Sequence, residues 1–198
     1  MKKLSFLLAL TAVFGLAFTN PASEVVTMSV DTDESYVTWR AYKVTGKHFG
    51  KVKLKSGSLQ YTDGMLSGGD FVMDMTSISV EDISGNMADK LRGHLMSDDF
   101  FSVEKHPEAT FTITKVASRG KPGDYRITGD LTIKDYTEEI RFNATMEEGD
   151  DQATGVAEIT LDRTDYDIRY RSGTFFQNLG DKTIYDEFDL EVNLVVSK

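Results

Sequence analysis

The sequence contains no cysteine, three prolines, three histidines, and 22 basic residues against 32 acidic ones in a chain of 198. Without cysteine, a disulfide framework, a thiolate metal site, a cysteine nucleophile and a lipid-modified N-terminal cysteine are all excluded, so the fold must stand on its core. The formal net charge of −10 argues against a nucleic-acid partner and predicts repulsion from anionic membrane surfaces. Long hydrophobic runs are scarce as well. The longest, Leu4 to Phe18, falls short of the roughly 20 residues of a membrane-spanning helix. No integral membrane segment is therefore expected in the mature chain.

What that apolar run does form is a secretory signal. Lys2 and Lys3 precede it, and the small and turn residues Thr19, Asn20, Pro21, Ala22 and Ser23 follow it. We read residues 1–22 as a signal peptide cleaved between 17 and 23, and residues 24–198 as one mature domain. Removing Lys2 and Lys3, with no acidic residue before Glu24, leaves 20 basic against 32 acidic residues, a net −12. The style of the leader is bacterial and predicts a periplasmic address.

Most of the mature chain alternates apolar and polar residues, the period of strands with one buried face. Ile184, Phe188, Leu190, Val192, Leu194 and Val196 form one row, interrupted only by Asp186. Shorter rows are Val26-Met28-Val30, Val37-Trp39-Ala41, Val52-Leu54, Phe71-Met73-Met75 and Phe111-Ile113, followed by those at 125–133, 140–146 and 157–161. Turn residues separate them, as in Thr62-Asp63-Gly64 and Lys134 to Thr137. Eight or nine evenly spaced strands point to a barrel or a sandwich. One segment departs from period two: Met87, Leu91 and Leu95 recur at four-residue steps, which predicts a short amphipathic helix from Asn86 to Leu95. Asp98 and Asp99 then open a second short turn carrying Phe100 and Phe101.

The residues that remain carry a resemblance. Trp39, Lys43, Gly46, His48, Gly50 and Gly57, then Leu91, His94-Leu95, Asp99-Phe100-Phe101, His106-Pro107, Ala109-Thr110-Phe111 and Gly129 to Ile133 follow the pattern of the YceI-like, polyisoprenoid-binding proteins. The stretch from Leu91 to Phe111 is its most specific part, and 170–182 fits the pattern poorly. Where the family often has glycine, this chain has Asp135 and Asp167, which tolerate left-handed backbone.

The resemblance implies an all-β fold, a single antiparallel eight-stranded lipocalin-like barrel with the helix inserted around residues 86–95. It also implies an apolar tunnel for a long lipid such as a polyisoprenoid or isoprenoid quinone, no cofactor besides that lipid, and no catalytic residue set. The ligand-binding candidates are Trp39, Phe71, Met73, Met75, Leu91, His94, Leu95, Phe100, Phe101, Phe111, Ile113 and Phe142. A barrel of eight strands is either filled by side chains or holds one slender ligand, and 12 Phe and 8 Met favour the second. Related proteins are often dimers, so a homodimer stays open.

Other chemistry has weaker footing. His48, His94 and His106 show no short ligand spacing, so no metal site is expected. The acidic runs Asp31 to Glu34 and Glu147 to Asp151 match no EF-hand and read as solvated turns rather than calcium loops. Asp162, Arg163 and Asp165 read as a structural ion-pair cluster at a strand end. Two alternatives keep a test each: a lipid-acting enzyme using His94 and Asp99, and an outer-membrane barrel, which would crowd Lys51, Lys53, Lys55, Glu187 and Glu191 into its lumen.

Overall fold

The computed structural model describes residues 23–149 and 151–198, so the expected signal peptide lies outside the described residues. The elements run β1 (Val25–Val30), β2 (Tyr36–Lys43), β3 (Gly46–Thr62), β4 (Met65–Asp74), α1 (Asn86–Met96), β5 (Glu108–Ser118), β6 (Asp124–Ile133), β7 (Tyr136–Glu148), β8 (Gln152–Asp162) and β9 (Ile184–Ser197). Strands β3 to β9 pair antiparallel with their sequence neighbours, and β2 closes the ring by pairing with both β3 and β9. This is the expected eight-stranded antiparallel barrel with one short helix.

β1 and β2 together make one stave, which brings nine strands to eight. β1 pairs with the end of β3, from Val25↔Thr62 to Ser29↔Ser58, while β2 pairs with its beginning, from Tyr36↔Lys53 to Lys43↔Gly46. Between them the Asp31 carboxylate accepts the N–H groups of Asp33 at 2.9 Å and Glu34 at 3.1 Å, a local turn that lifts the backbone out of the ladder. Ser35, 2% exposed, fills the gap: its hydroxyl donates to the Val195 carbonyl at 3.1 Å and accepts the Val195 N–H at 2.9 Å. The Asp31 carboxylate thus serves its own turn.

The apolar rows face inward. Along β8, Ala153, Gly155, Ala157, Ile159 and Leu161 are buried while Gln152, Thr154, Val156, Glu158 and Thr160 are exposed. Lys53, Lys55, Glu139, Arg141, Glu187 and Glu191 stand exposed on the outside, where a membrane-spanning barrel needs an apolar band, so the outer-membrane alternative does not fit. Asp63 and Gly64, both at positive φ, make the two-residue β3–β4 turn. Asp167 takes the left-handed conformation expected of it, but in the β6–β7 turn Lys134, not Asp135, has positive φ.

Helix α1 extends one residue beyond its expected end and stops at Ser97, whose N–H and hydroxyl both return to the His94 carbonyl. Arg92 ties it to the preceding loop, donating to the carbonyls of Ile78 at 2.8 Å and Thr76 at 3.0 Å. The predicted stripe is buried only toward its C-terminal end: Leu95 is 7% exposed, Leu91 half-buried, and Met87 69% exposed. Urea unfolding should therefore rank the alanine variants, with Leu95→Ala costing about 2 to 4 kcal/mol, Leu91→Ala about 1, and Met87→Ala under about 0.5. Equal costs at Leu95 and Met87 would contradict this seating of the helix.

Candidate binding cavity

Inside the barrel the inward rows leave two chambers. The first offers about 140 Å³ to the centre of a water-sized sphere, roughly ten times what one water molecule requires. Its walls are wholly apolar. Phe71, Phe111 and Phe142 pack there as a continuous aromatic wall, with ring centroids 6.4 and 5.6 Å apart. The small residues Ala144, Gly155 and Ala157 line the same chamber, and a Cβ on Gly155 would meet the Met146 sulfur at 2.5 Å, so that glycine seats the Met146 side chain. Gly129 explains how the wall fits: a Cβ there would meet the Phe111 ring at 2.6 Å, so the gap in the β6 row is the seat of that ring.

The second chamber offers about 110 Å³ by the same measure and shares Val37, Met73, Leu131 and Leu190 with the first, so the two abut at that level. Strand β9 lines them from Ile184 to Leu194, roughly 33 Å of extended chain. Trp39, Met75, Leu95, Phe100 and Phe101 wall this second chamber. The Trp39 indole N–H donates to the Ser79 carbonyl at 3.1 Å, which fixes the ring with its apolar face inward.

Ten of the twelve candidates line a chamber: Phe71, Phe111, Ile113 and Phe142 the first, Trp39, Met75, Leu95, Phe100 and Phe101 the second, and Met73 both. Leu91 and His94 are in neither lining. His94 instead stands behind the wall, edge-on to Phe100 at 4.9 Å and to Tyr170 at 4.6 Å, with Nε2 2.9 Å from the Asp99 carboxylate. The pair required by an enzymatic reading therefore forms, but outside the cavity.

The other histidines take different aspartates. His48 lies 2.7 Å from Asp82 and His106 3.5 Å from Asp135. Burial pushes the Asp82 carboxyl up, but the Phe49 N–H and His48 outweigh it and hold it below its ordinary value. Among the described residues no group of three or more His, Asp or Glu side chains is placed to hold a metal ion.

Arg163 is the one charged residue in the cavity lining, and sequence reasoning assigned it the wrong partner. Its guanidinium pairs with Asp186 at 3.0 Å, not with Asp162 or Asp165. It also donates to the carbonyls of Ile168, Tyr170, Ile184 and Tyr185 at 2.8 to 3.0 Å. Asp162 instead accepts the Thr164 N–H and hydroxyl at the turn. Burial lowers the Arg163 pKa from its usual value, against the opposing pull of Asp186 and Asp162. The signal was present in the sequence: Asp186 is the one residue that breaks the apolar row of β9.

Comparison with known proteins places this architecture. Residues 28–196 match the family model of the YceI-like domain. A UPF0312 protein of Vibrio campbellii is 28% identical over 180 residues, covering 85% of this chain and 89% of that one. Another, from Pectobacterium carotovorum, is 37% identical over 98 residues, a match that spans 46% of this chain and 50% of the relative. Among solved structures, BcnA of Burkholderia cenocepacia superposes with a TM-score of 0.68 at 20% identity, over 84% of this chain and 98% of its own. A polyisoprenoid binding domain from Saccharophagus degradans, implicated in plant cell wall breakdown, superposes at 0.60 with 15% identity, over 86% of this chain and 97% of its own. At such identities these structures speak for the fold, while the family model spans nearly every strand of the barrel; the chain belongs to the YceI-like domain family.

Proposed function

We propose that the protein holds one long apolar lipid, a polyisoprenoid or isoprenoid quinone, in the two abutting chambers and carries or stores it unchanged in the periplasm. The observation that carries this reading is the wholly apolar wall of the first chamber, continued by the second. The first chamber has no group to direct a polar headgroup, and the one charged residue of the second, Arg163, is taken up by Asp186 and four backbone carbonyls, so length and shape select the ligand. Each buried methylene contributes ~0.8 kcal/mol, so a chain of about 20 carbons gains on the order of 15 kcal/mol before the costs of association. The Saccharophagus degradans domain, described as polyisoprenoid binding, has the same fold and supports the ligand class. The His94–Asp99 pair lies outside the lining, which favours a carrier over an enzyme.

Mass spectrometry of an organic extract of the protein purified from the periplasmic fraction tests ligand and address together. Met73 stands where the chambers meet, so Met73→Gln places an unpartnered amide in the lipid's path and should lower bound lipid at least about five-fold while the circular dichroism stays native. Asp70→Asn, on the exposed face of the same strand, should leave the lipid content as it is. If neither the purified protein nor protein incubated with added isoprenoid contains lipid, the barrel is simply a filled core.

A further inference from the structure

We propose that the end of the barrel beside the second chamber docks on an anionic lipid bilayer, which brings the cavity to the membrane from which its ligand is exchanged. The inference rests on the cavity reading for its purpose but on different residues for its evidence. The segment between Asp162 and β9 folds over this end, and its tip is held on a buried anchor. Ser172, fully buried, bridges to Ile184 and donates to Asp186 at 2.9 Å, and its carbonyl accepts the N–H groups of both Phe175 and Phe176. This turn leaves Phe175 44% and Phe176 50% exposed. Val44 and Tyr185, 48% and 52% exposed, belong to the same end, because the Val44 N–H donates to the Thr183 carbonyl. Four of the nine exposed large apolar side chains among the described residues therefore gather here, where scattered exposure would need no explanation.

Charge identifies the occupant. Lys43 and Lys47 flank the β2–β3 turn and Arg169, Arg171 and Lys182 lie in the segment, where the acids of 43–48 and 167–182 are Asp167 and Asp181, in a chain of net charge −10. The neighbouring Asp82, Asp99 and Asp186 are paired with His48, His94 and Arg163. Asp167 pairs with Arg169 at 2.6 Å. The Arg169 guanidinium lies 4.6 Å from the Phe175 ring centre and that of Arg171 5.0 Å from Tyr170. Rigid aromatics ringed by guanidinium and ammonium groups suit the boundary between acidic headgroups and acyl chains. The net charge of the whole chain predicts repulsion from such a surface, and this local reversal of sign opposes it. Ile168, Ile184 and Tyr185 belong both to this end and to the lining of the second chamber, so a lipid passing between bilayer and cavity would meet little water.

Co-sedimentation of the full mature protein with phosphatidylethanolamine–phosphatidylglycerol vesicles, set against phosphatidylcholine vesicles, tests the proposal. At about 0.1 M salt the bound fraction should be at least about five-fold higher on the anionic vesicles, and it should collapse near 1 M salt, where screening shortens to about 3 Å. Phe175→Ser/Phe176→Ser should reduce it about ten-fold, and Lys47→Gln/Lys182→Gln should flatten its salt dependence, both with native circular dichroism. Organic extracts of each variant should contain as much lipid as wild type. Wild-type protein that ignores anionic vesicles, or a double serine variant that binds them equally well, overturns the proposal. So does a concentration-dependent dimer abolished by the same serines, which would make the patch a self-interface. Full vesicle binding by a protein whose extract holds no lipid would instead sink the cavity reading and leave the docking surface standing.

Discussion

Arg163→Ala is expected to remove about 3 to 5 kcal/mol of stability, the usual cost of taking one partner from a buried ion pair. The residue is 5% exposed, and its guanidinium N–H groups reach four backbone carbonyls and the Asp186 carboxylate. Alanine leaves those carbonyls without that donor and strands the Asp186 carboxylate, which then keeps only the hydroxyls of Ser172 and Thr174. Because whole domains are stable by only about 5 to 15 kcal/mol, the variant should sit near the edge of folding. A urea titration reads the loss as a lower midpoint with an unchanged slope. Arg163→Lys should fall between the two, since an ammonium offers three donors in place of a planar fork. A loss below about 1 kcal/mol for the alanine variant would mean that the pair forms without holding the 163–186 segment in place.

Gly50→Ala is expected to cost about 3 kcal/mol and to unseat the protein's single tryptophan. Trp39 and Gly50 are directly paired across β2 and β3, and the indole reaches over the glycine to the Ser79 carbonyl. A Cβ on Gly50 would lie 1.9 Å from that carbonyl oxygen and 3.0 Å from the indole nitrogen. The first obstacle is backbone, so no rotamer relieves it. The strap at 77–82, which β3 holds through Ser79 N–H to Lys51 O and Glu81 N–H to Phe49 O, must move outward and take the indole's acceptor with it. Tryptophan emission should shift to the red and urea resistance should fall together. Gly46→Ala is the contrast of another kind: nothing lies within 4 Å of its added Cβ, but its φ of +148° strains the β2–β3 turn, so stability should fall while the emission stays in place.

Period-two reading finds strands wherever the ladder is regular and fails where it slips. Val52 and Leu54 share one parity in β3, but the buried residues beyond them are Leu59 and Tyr61, because the register with β4 shifts between Leu54 and Ser56. The same happens in β5, where Ala109, Phe111 and Ile113 give way to Val116 across the shift between Ile113 and Lys115. One extra residue turns every later side chain to the opposite face, so a single continued alternation mislabels the rest of the strand. For the same reason Leu59 and Leu66, both lining the first chamber, are missed by sequence reading.

The sequence by itself determines the strand rows, the helix, the inward aromatic set and the family pattern. Each of these depends on contacts between residues near in the chain, or on the side-chain alternation that follows from backbone geometry. Only the tertiary structure decides which side chains share a space. Leu91 and His94 belong to the motif and lie on α1 yet line neither chamber, because a helix three turns long has room for one buried face and Leu95 occupies it. Arg163 meets Asp186 across 23 residues rather than its neighbours Asp162 and Asp165, because the loop between them closes on the guanidinium through four carbonyls that have no sequence signature. The chambers themselves arise where small residues of β7 and β8 and phenylalanines of β4, β5 and β7 come to line one space. That juxtaposition depends on the closure of the ring, a long-range fact that no local pattern encodes.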